Sequence, residues 1–317
     1  MKVGIFLPLE SSDARPDLVA SFARRAEEAG FATLSLLDRL IWENYDPQIA
    51  MAFAAGATSR IGLQTSILIA PLHPTVLLAK QLVSLDNLAD GRLTVGVGLG
   101  GHPRDYEAAG VDWHKRGRIL DAQLEELHRL WDGDSPYCQP AVTAFDRFGP
   151  KPLRSGGPRL LVGGAVKSVE RAARYADGFI CGWAAGIEEG HIVAYSGMTN
   201  GGTIGPDRFV DKVSAVHKAW SDAGRTDRPY VVATAYFSLM GNEEMPQHYL
   251  GRFYRHDEGL YDAALRATAS APERIIEILK TYEADGADEV HLVPATREPA
   301  ELDRLVPVLA AAGYLTT

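Results

Sequence analysis

The chain has 317 residues, 46% of them hydrophobic and 23% charged, the balance of a globular protein with a sizeable core. Forty-one acidic against thirty-two basic side chains give a formal charge of −9 with no long run of Lys or Arg, which argues against general binding to nucleic acid or an anionic membrane. Cys138 and Cys181 stand far apart and offer neither a disulfide framework nor a zinc knuckle, so a soluble protein in a reducing cytoplasm is expected.

The opening MKVGIFLPLE holds too short an apolar stretch for a signal peptide, and no apolar run reaches the roughly 18 residues of a spanning helix. Val3 to Pro8 predicts a strand. A helix follows with Leu18, Phe22, Ala26 and Ala29 on one face, stopped by Gly30, and Phe31 to Asp38 predicts the next strand. The rhythm repeats through a helix at Ile49 to Thr58, the strand IGLQTSILIA, a helix from Pro74 and the strand LTVGVGLG. An amphipathic helix at Ile119 to Trp131 completes the first half.

Residues 132–158 contain five prolines and read as an irregular insertion. Strand RLLVGG, helix Ser168 to Tyr175, strand DGFICG and a helix near Phe209 to Ala223 then continue the alternation. Strand YVVATAYFSLM, a helix with Ile275, Ile278 and Leu279, strand DEVHLVP and a closing helix with Leu302, Leu305 and Leu309 end it. Segment 184–206 reads as a second irregular insertion, and 241–259, with Tyr249, Phe253, Tyr254 and His256, as a loop covering the mouth. Eight strands alternating with eight helices fit one (β/α)8 TIM barrel with loop insertions spanning residues 1–317 better than two doubly wound domains.

Ligands in such a barrel bind where strands end. Gly163, Gly164, Ala165 and Ser168 form a candidate phosphate cradle, with Lys167 beside it; a plain β-α turn is the other reading. Gly96, Gly98 and Gly101 have G-x-G-x-x-G spacing. They follow three earlier β-α units instead of opening a domain of their own, so Gly96 and Gly98 are read as keeping the mouth clear for a flat ring. Arg104 is a candidate anion partner or an ordinary surface residue. Asp38 and Arg39 are candidate polar contacts where the second strand exits, with a simple capping role open for Asp38. Trp42 and Trp183 are candidates for an apolar substrate pocket, with plain packing as the alternative. His73, His102, His114, His191 and His291 form no metal set, and no G-x-S-x-G elbow supplies a serine nucleophile.

The stretches EEAGFATLSLLDRL, TSRIGLQTSILIAPLHPTVLLAKQLVSLDNLADGRLTVGVGLGG and PRLLVGGAVKSVERAARYADGFI, with APERIIEILKTYEADGADEVHLVP, resemble the bacterial luciferase-like flavin-dependent oxidoreductases. That resemblance implies a barrel binding FMN or the deazaflavin coenzyme F420. It also implies a third-strand bulge at Ser66 and Ile67, often with a non-prolyl cis peptide, beneath the ring. It places Gly98 beside the ring, Gly163, Gly164, Ala165 and Ser168 at the phosphate with Arg104 as a basic contact, and Asp38 at a polar position of the second strand end. F420-dependent sugar-phosphate dehydrogenases of this type have a His after the second-strand Asp and a Glu after the fourth-strand glycines; here Arg39 and Gly101 stand there. The expectation is therefore a monooxygenase using reduced FMN, supplied by a separate reductase, and oxygen on a small organic substrate. F420-linked hydride transfer is the alternative, and a non-catalytic flavin-binding barrel a second. No catalytic side chain is assigned, and homo-oligomerisation is expected from the resemblance alone.

Overall fold

The computed structural model describes residues 1–8, 16–139, 147–165, 168–195, 197–199, 202–204, 207–241, 244–254, 258–296 and 298–315. The first half runs β1 (Lys2–Phe6), α1 (Pro16–Glu28), β2 (Thr33–Leu36), α2 (Pro47–Ala57), β3 (Gly62–Ile69), α3 (Thr75–Leu88), β4 (Leu93–Gly98), α4 (Pro103–Ala109) and α5 (Arg116–Asp132). The second half runs β5 (Arg159–Gly163), α6 (Val169–Tyr175), β6 (Gly178–Glu188), β7 (His191–Tyr195), β8 (Gly197–Thr199), β9 (Gly202–Ile204), β10 (Asp207–Arg208) and α7 (Phe209–Asp222). It ends with β11 (Tyr230–Phe237), α8 (Glu244–Tyr254), α9 (Glu258–Ala267), α10 (Pro272–Ala284), β12 (Glu289–Pro294) and α11 (Ala300–Ala311).

Strands β1 to β6 with β11 and β12 pair in parallel as neighbours. β5 pairs with β6 and β12 with β1, so the eight close into a TIM barrel. Local chemistry explains where helices begin and end. The Asp46 carboxylate accepts from the Ile49 amide with Pro47 at the first helical position of α2, and left-handed Gly133 (φ 82°) caps α5. Alternation along the strands then sorts the core. Val3, Ile5, Leu34, Leu36, Leu63, Val95 and Val97 pack outward into the helix layer with Phe22, Leu78, Leu82, Leu120, Leu124 and Leu127. The barrel interior keeps a small apolar group of Leu161, Ile180 and Val232 on one side.

Two segments differ from the sequence reading. Within 184–206, β6 continues to Glu188 and turns back as β7 in antiparallel pairing. Glu189 and Gly190 both carry positive φ (48° and 79°), as a tight hairpin turn needs. β8 and β9 form a second antiparallel pair, and residues 196, 200–201 and 205–206 lie outside the described ones. Within 241–259, α8 and the start of α9 replace the loop. Tyr249, Leu250, Phe253 and Tyr254 fall at helical spacing and bury one face, which makes this segment a helix instead of the expected loop. Residues 255–257, His256 among them, lie outside the described residues, as do 140–146 of the segment 132–158. The rest of that segment holds a single short 3-10 turn at Pro136–Cys138 among the described residues.

Candidate functional site at the barrel mouth

The third strand breaks its register with β4 between Thr65 and Leu68, and the Ser66–Ile67 peptide is cis. Both residues are half-buried at the mouth, while Leu68 and Ile69 return to the core. Two glycines make room for this bulge. A Cβ on Gly163 would stand 2.6 Å from Ile67 Cγ2, and one on Gly98 would stand 2.8 Å from Ile67 Cδ1. The Ile67 side chain thus lies across the ends of β4 and β5 as a shelf. Gly96 serves the strand itself, since its Cβ would meet the Thr65 carbonyl at 2.2 Å and Ile180 Cδ1 at 2.4 Å. The expectation that Gly96 keeps the mouth clear is corrected accordingly: the space above it is filled by Ile180.

Beyond β5, Gly164 has φ 141°, and a Cβ there would lie 2.6 Å from Ser168 Oγ. Gly163, Gly164, Ala165 and buried Ser168 therefore form one tight turn into α6, with the Ser168 hydroxyl folded back over Gly164. Lys167 lies outside the described residues.

At the second strand's exit, Asp38 is 9% exposed and its Oδ2 accepts from the Ile69 amide at 2.9 Å, with His73 Nε2 at 3.8 Å. Asp38 thus ties the end of β3 to that of β2. Arg39 donates from Nε to Asp105 Oδ2 at 2.7 Å, and the fully buried Asp105 also accepts from the Ile41 amide at 2.9 Å. Arg104 is exposed. It lines a cavity of about 220 Å³ with Arg39, Trp42, His102, Arg252 and Phe253, whereas Gly163, Gly164 and Ser168 form no part of that cavity's wall.

Trp42 and Trp183 belong to one aromatic cluster. Trp42 stacks 4.7 Å from Phe253, and Phe253 adjoins Tyr254 at 5.9 Å. Tyr254 in turn lies 5.9 Å from Trp183, which packs 4.8 Å from Tyr195 and 5.6 Å from Tyr236. The Tyr236 and Tyr254 hydroxyls share a hydrogen bond of 2.7 Å. An apolar wall thus runs along one side of the mouth, built largely by α8. Sequence reasoning missed Asp105, Arg252 and Tyr236. Asp105 and Arg252 meet their partners across long stretches of chain, and the only available signal was the i, i+4 spacing on α8.

The barrel floor holds a different polar group. Ser35 Oγ and His291 Nδ1 share a hydrogen bond of 2.6 Å, His291 Nε2 and Glu289 Oε1 one of 3.0 Å, and the Tyr230 hydroxyl donates to Glu289 Oε2 at 2.7 Å. Gly4 makes this geometry fit, because a Cβ there would lie 2.5 Å from the His291 ring. Burial pushes the Glu289 carboxyl up, but the His291 charge and hydrogen bonds from His291, Thr33 and Tyr230 outweigh it and hold the pKa at about 2. Burial, with the Glu289 charge next, raises the Tyr230 phenol far above its usual range. A Ser-His-Glu chain of this kind resembles a hydrolase triad, yet Ser35 and His291 are 0% exposed and no substrate reaches them.

A closed parallel barrel with a glycine-seated bulge and an aromatic wall at its C-terminal strand ends defines the class: a TIM-barrel protein with a candidate site at that mouth. Over residues 1–194 the sequence matches the luciferase-like monooxygenase family, and the chain belongs to that family of enzymes. An uncharacterized protein of Mycobacterium tuberculosis is 30% identical over 218 residues, 66% of this chain and 68% of the relative. The FMNH(2)-dependent dimethylsulfone monooxygenase of Pseudomonas fluorescens is 29% identical over 171 residues, 51% of this chain and 46% of that one. Among solved structures, the monooxygenase RslO1 from Streptomyces bottropensis has the same fold (TM-score 0.73, 23% identity, 98% of each chain). So does an F420-dependent secondary alcohol dehydrogenase in complex with an F420-acetone adduct (TM-score 0.74, 17% identity, 98% of each chain). Among the described residues no helix is long and apolar enough to cross a membrane.

Proposed function

We propose that this enzyme is a monooxygenase using reduced FMN, delivered by a separate flavin reductase, and molecular oxygen to oxidise a small organic substrate. The observation that carries the reading is the shelf of Ser66 and Ile67 seated on Gly98 and Gly163, a bed for a flat ring at the same mouth as the Trp42 to Trp183 wall. Reduced FMN, when bound, supplies the electrons that activate oxygen for transfer of one oxygen atom to the substrate.

The chain's own residues then bind, orient and shield. Ser66, Ile67 and Gly98 would meet the ring, and Gly163, Gly164, Ala165 and Ser168 the phosphate end. Asp38 sets the bulge from outside by holding the Ile69 amide. The aromatic wall excludes water from the mouth. Arg39 and Trp42 would stand on the substrate side, with Trp183 further along the same wall.

F420-linked hydride transfer uses the same bed, and the F420-dependent structural neighbour keeps it in view. Arg39 and Gly101 stand where similar sugar-phosphate dehydrogenases carry His and Glu, which weighs against that reaction. Membership in an enzyme family sets aside the non-catalytic barrel. Titration of the purified protein with FMN and F420, each oxidised and reduced, separates the two cofactors. Micromolar binding of reduced FMN is the expected result; micromolar F420 binding with none for reduced FMN overturns the proposal.

A further inference from the structure

The cavity between the exits of β2 and β4 and helix α8 combines cations and aromatic faces. Arg39, Arg104 and Arg252 line it with His102, Trp42 and Phe253. Two carboxylates serve these three guanidinium groups. Asp105 takes the Arg39 Nε and Glu43 pairs with Arg252, while Arg104 has no partner among the described residues. One positive charge therefore stands uncompensated at the mouth of a protein whose formal charge is −9. The aromatic side is half-buried Trp42 packed against Phe253. The Trp42 ring lies under the Arg39 and Arg252 guanidiniums, with Cζ at 5.6 and 5.9 Å from its centroid, and its Nε1–H is buried without an acceptor among the described residues.

From this we infer that the cavity anchors the anionic group of the substrate, a carboxylate or sulfonate carried on an aromatic or similarly planar body. Arg104 supplies the free charge. Asp105 holds Arg39 in place so that its remaining N–H groups stay oriented, and Trp42 and Phe253 take the planar part. From there the rings of Tyr254 and Trp183 continue the wall from Phe253, and a substrate fixed at its charged end would lie along it. The word substrate rests on the monooxygenase reading above; the anion site itself does not.

The test uses the full-length protein with benzoate and benzenesulfonate as probes and benzamide as the uncharged control, by calorimetric titration at low and high salt. The anions are expected to bind at least about tenfold more tightly than benzamide, a charged hydrogen bond's worth of discrimination, and to weaken as salt rises. Arg104→Gln should erase that preference, and Arg104→Lys should retain part of it. Equal binding of benzoate and benzamide, or a preference that survives Arg104→Gln, overturns the inference. It is also overturned if Arg104→Gln weakens FMN or F420 binding by the same factor and benzenesulfonate competes with the cofactor, because the anion site then belongs to the cofactor. Anion preference in a protein that binds neither cofactor would overturn the monooxygenase reading and leave the anion site standing.

Discussion

The two ends of the barrel handle buried polarity in opposite ways. On the floor, Thr33, Ser35, Tyr230, Glu289 and His291 satisfy one another, and no space is left for a ligand. At the mouth, the buried Trp42 N–H lacks an acceptor among the described residues, and exposed Arg104 beside it lines a cavity of about 220 Å³ without an ion-pair partner among them. Closed polar networks specify packing, and open ones specify ligands. The floor also shows that a Ser-His-Glu chain is a structural device when nothing can approach it.

Removing the floor's shared acceptor is the strongest way to break this contrast. Glu289→Ala leaves His291, Tyr230 and Thr33 without their buried partner and is expected to cost about 3 to 5 kcal/mol in urea unfolding. The remaining folded protein should bind cofactor normally. A stability loss below about 1 kcal/mol would show that the network is not a unit. The same carboxyl gives a pH signature. Its folded pKa of about 2 lies below the ordinary 4.5, so its contribution is complete above pH 4.5 and is lost as pH falls from 4.5 towards 2. The acid limb of wild-type stability should be steeper in that window than that of Glu289→Gln.

The next largest effect belongs to the pair at the mouth whose carboxylate is fully buried. Asp105→Ala strips part-buried Arg39 and the Ile41 amide of their acceptor, an expected cost of about 2 to 3 kcal/mol by thermal or urea unfolding. Gly163→Val follows. It drives a side chain into Ile67 Cγ2, where an added Cβ alone stands at 2.6 Å, for about 1 to 3 kcal/mol. Its informative readout is cofactor titration, because the displaced shelf should weaken binding at least about tenfold. Unchanged affinity would move the ring bed away from Ile67.

Much of the barrel is legible in the sequence because parallel strands covered by helices must be continuous apolar runs, as IGLQTSILIA and YVVATAYFSLM are. The bulge at Ser66 and Ile67 was legible through family resemblance, and the tight turn after β5 through Gly163 and Gly164 themselves. The floor was not, since Ser35 and His291 are 256 positions apart and only the empty Cβ place of Gly4 lets them meet. Helix α8 was hidden for another reason. Its apolar face is buried by residues such as Phe6, Trp42, Trp183, Tyr236 and Val293, which come from other parts of the chain. A segment read as a covering loop is thus fixed as a helix by tertiary burial.

The smallest expected effect probes the joint between these levels. Asp38 sits among residues first read as cofactor contacts, but its Oδ2 accepts from the Ile69 amide just beyond the bulge, and His73 stands 3.8 Å away. Asp38→Asn keeps the shape and an acceptor oxygen while removing the charge, so about 1 kcal/mol of stability should be lost. If Asp38 positions the shelf and does not itself touch the ligand, cofactor affinity should fall only in proportion to that loosening. Asp38→Glu, whose longer arm shifts the Ile69 amide, should then weaken binding more than Asp38→Asn does. The reverse order, with Asn the worse of the two, would mean that the carboxylate charge itself faces the cofactor.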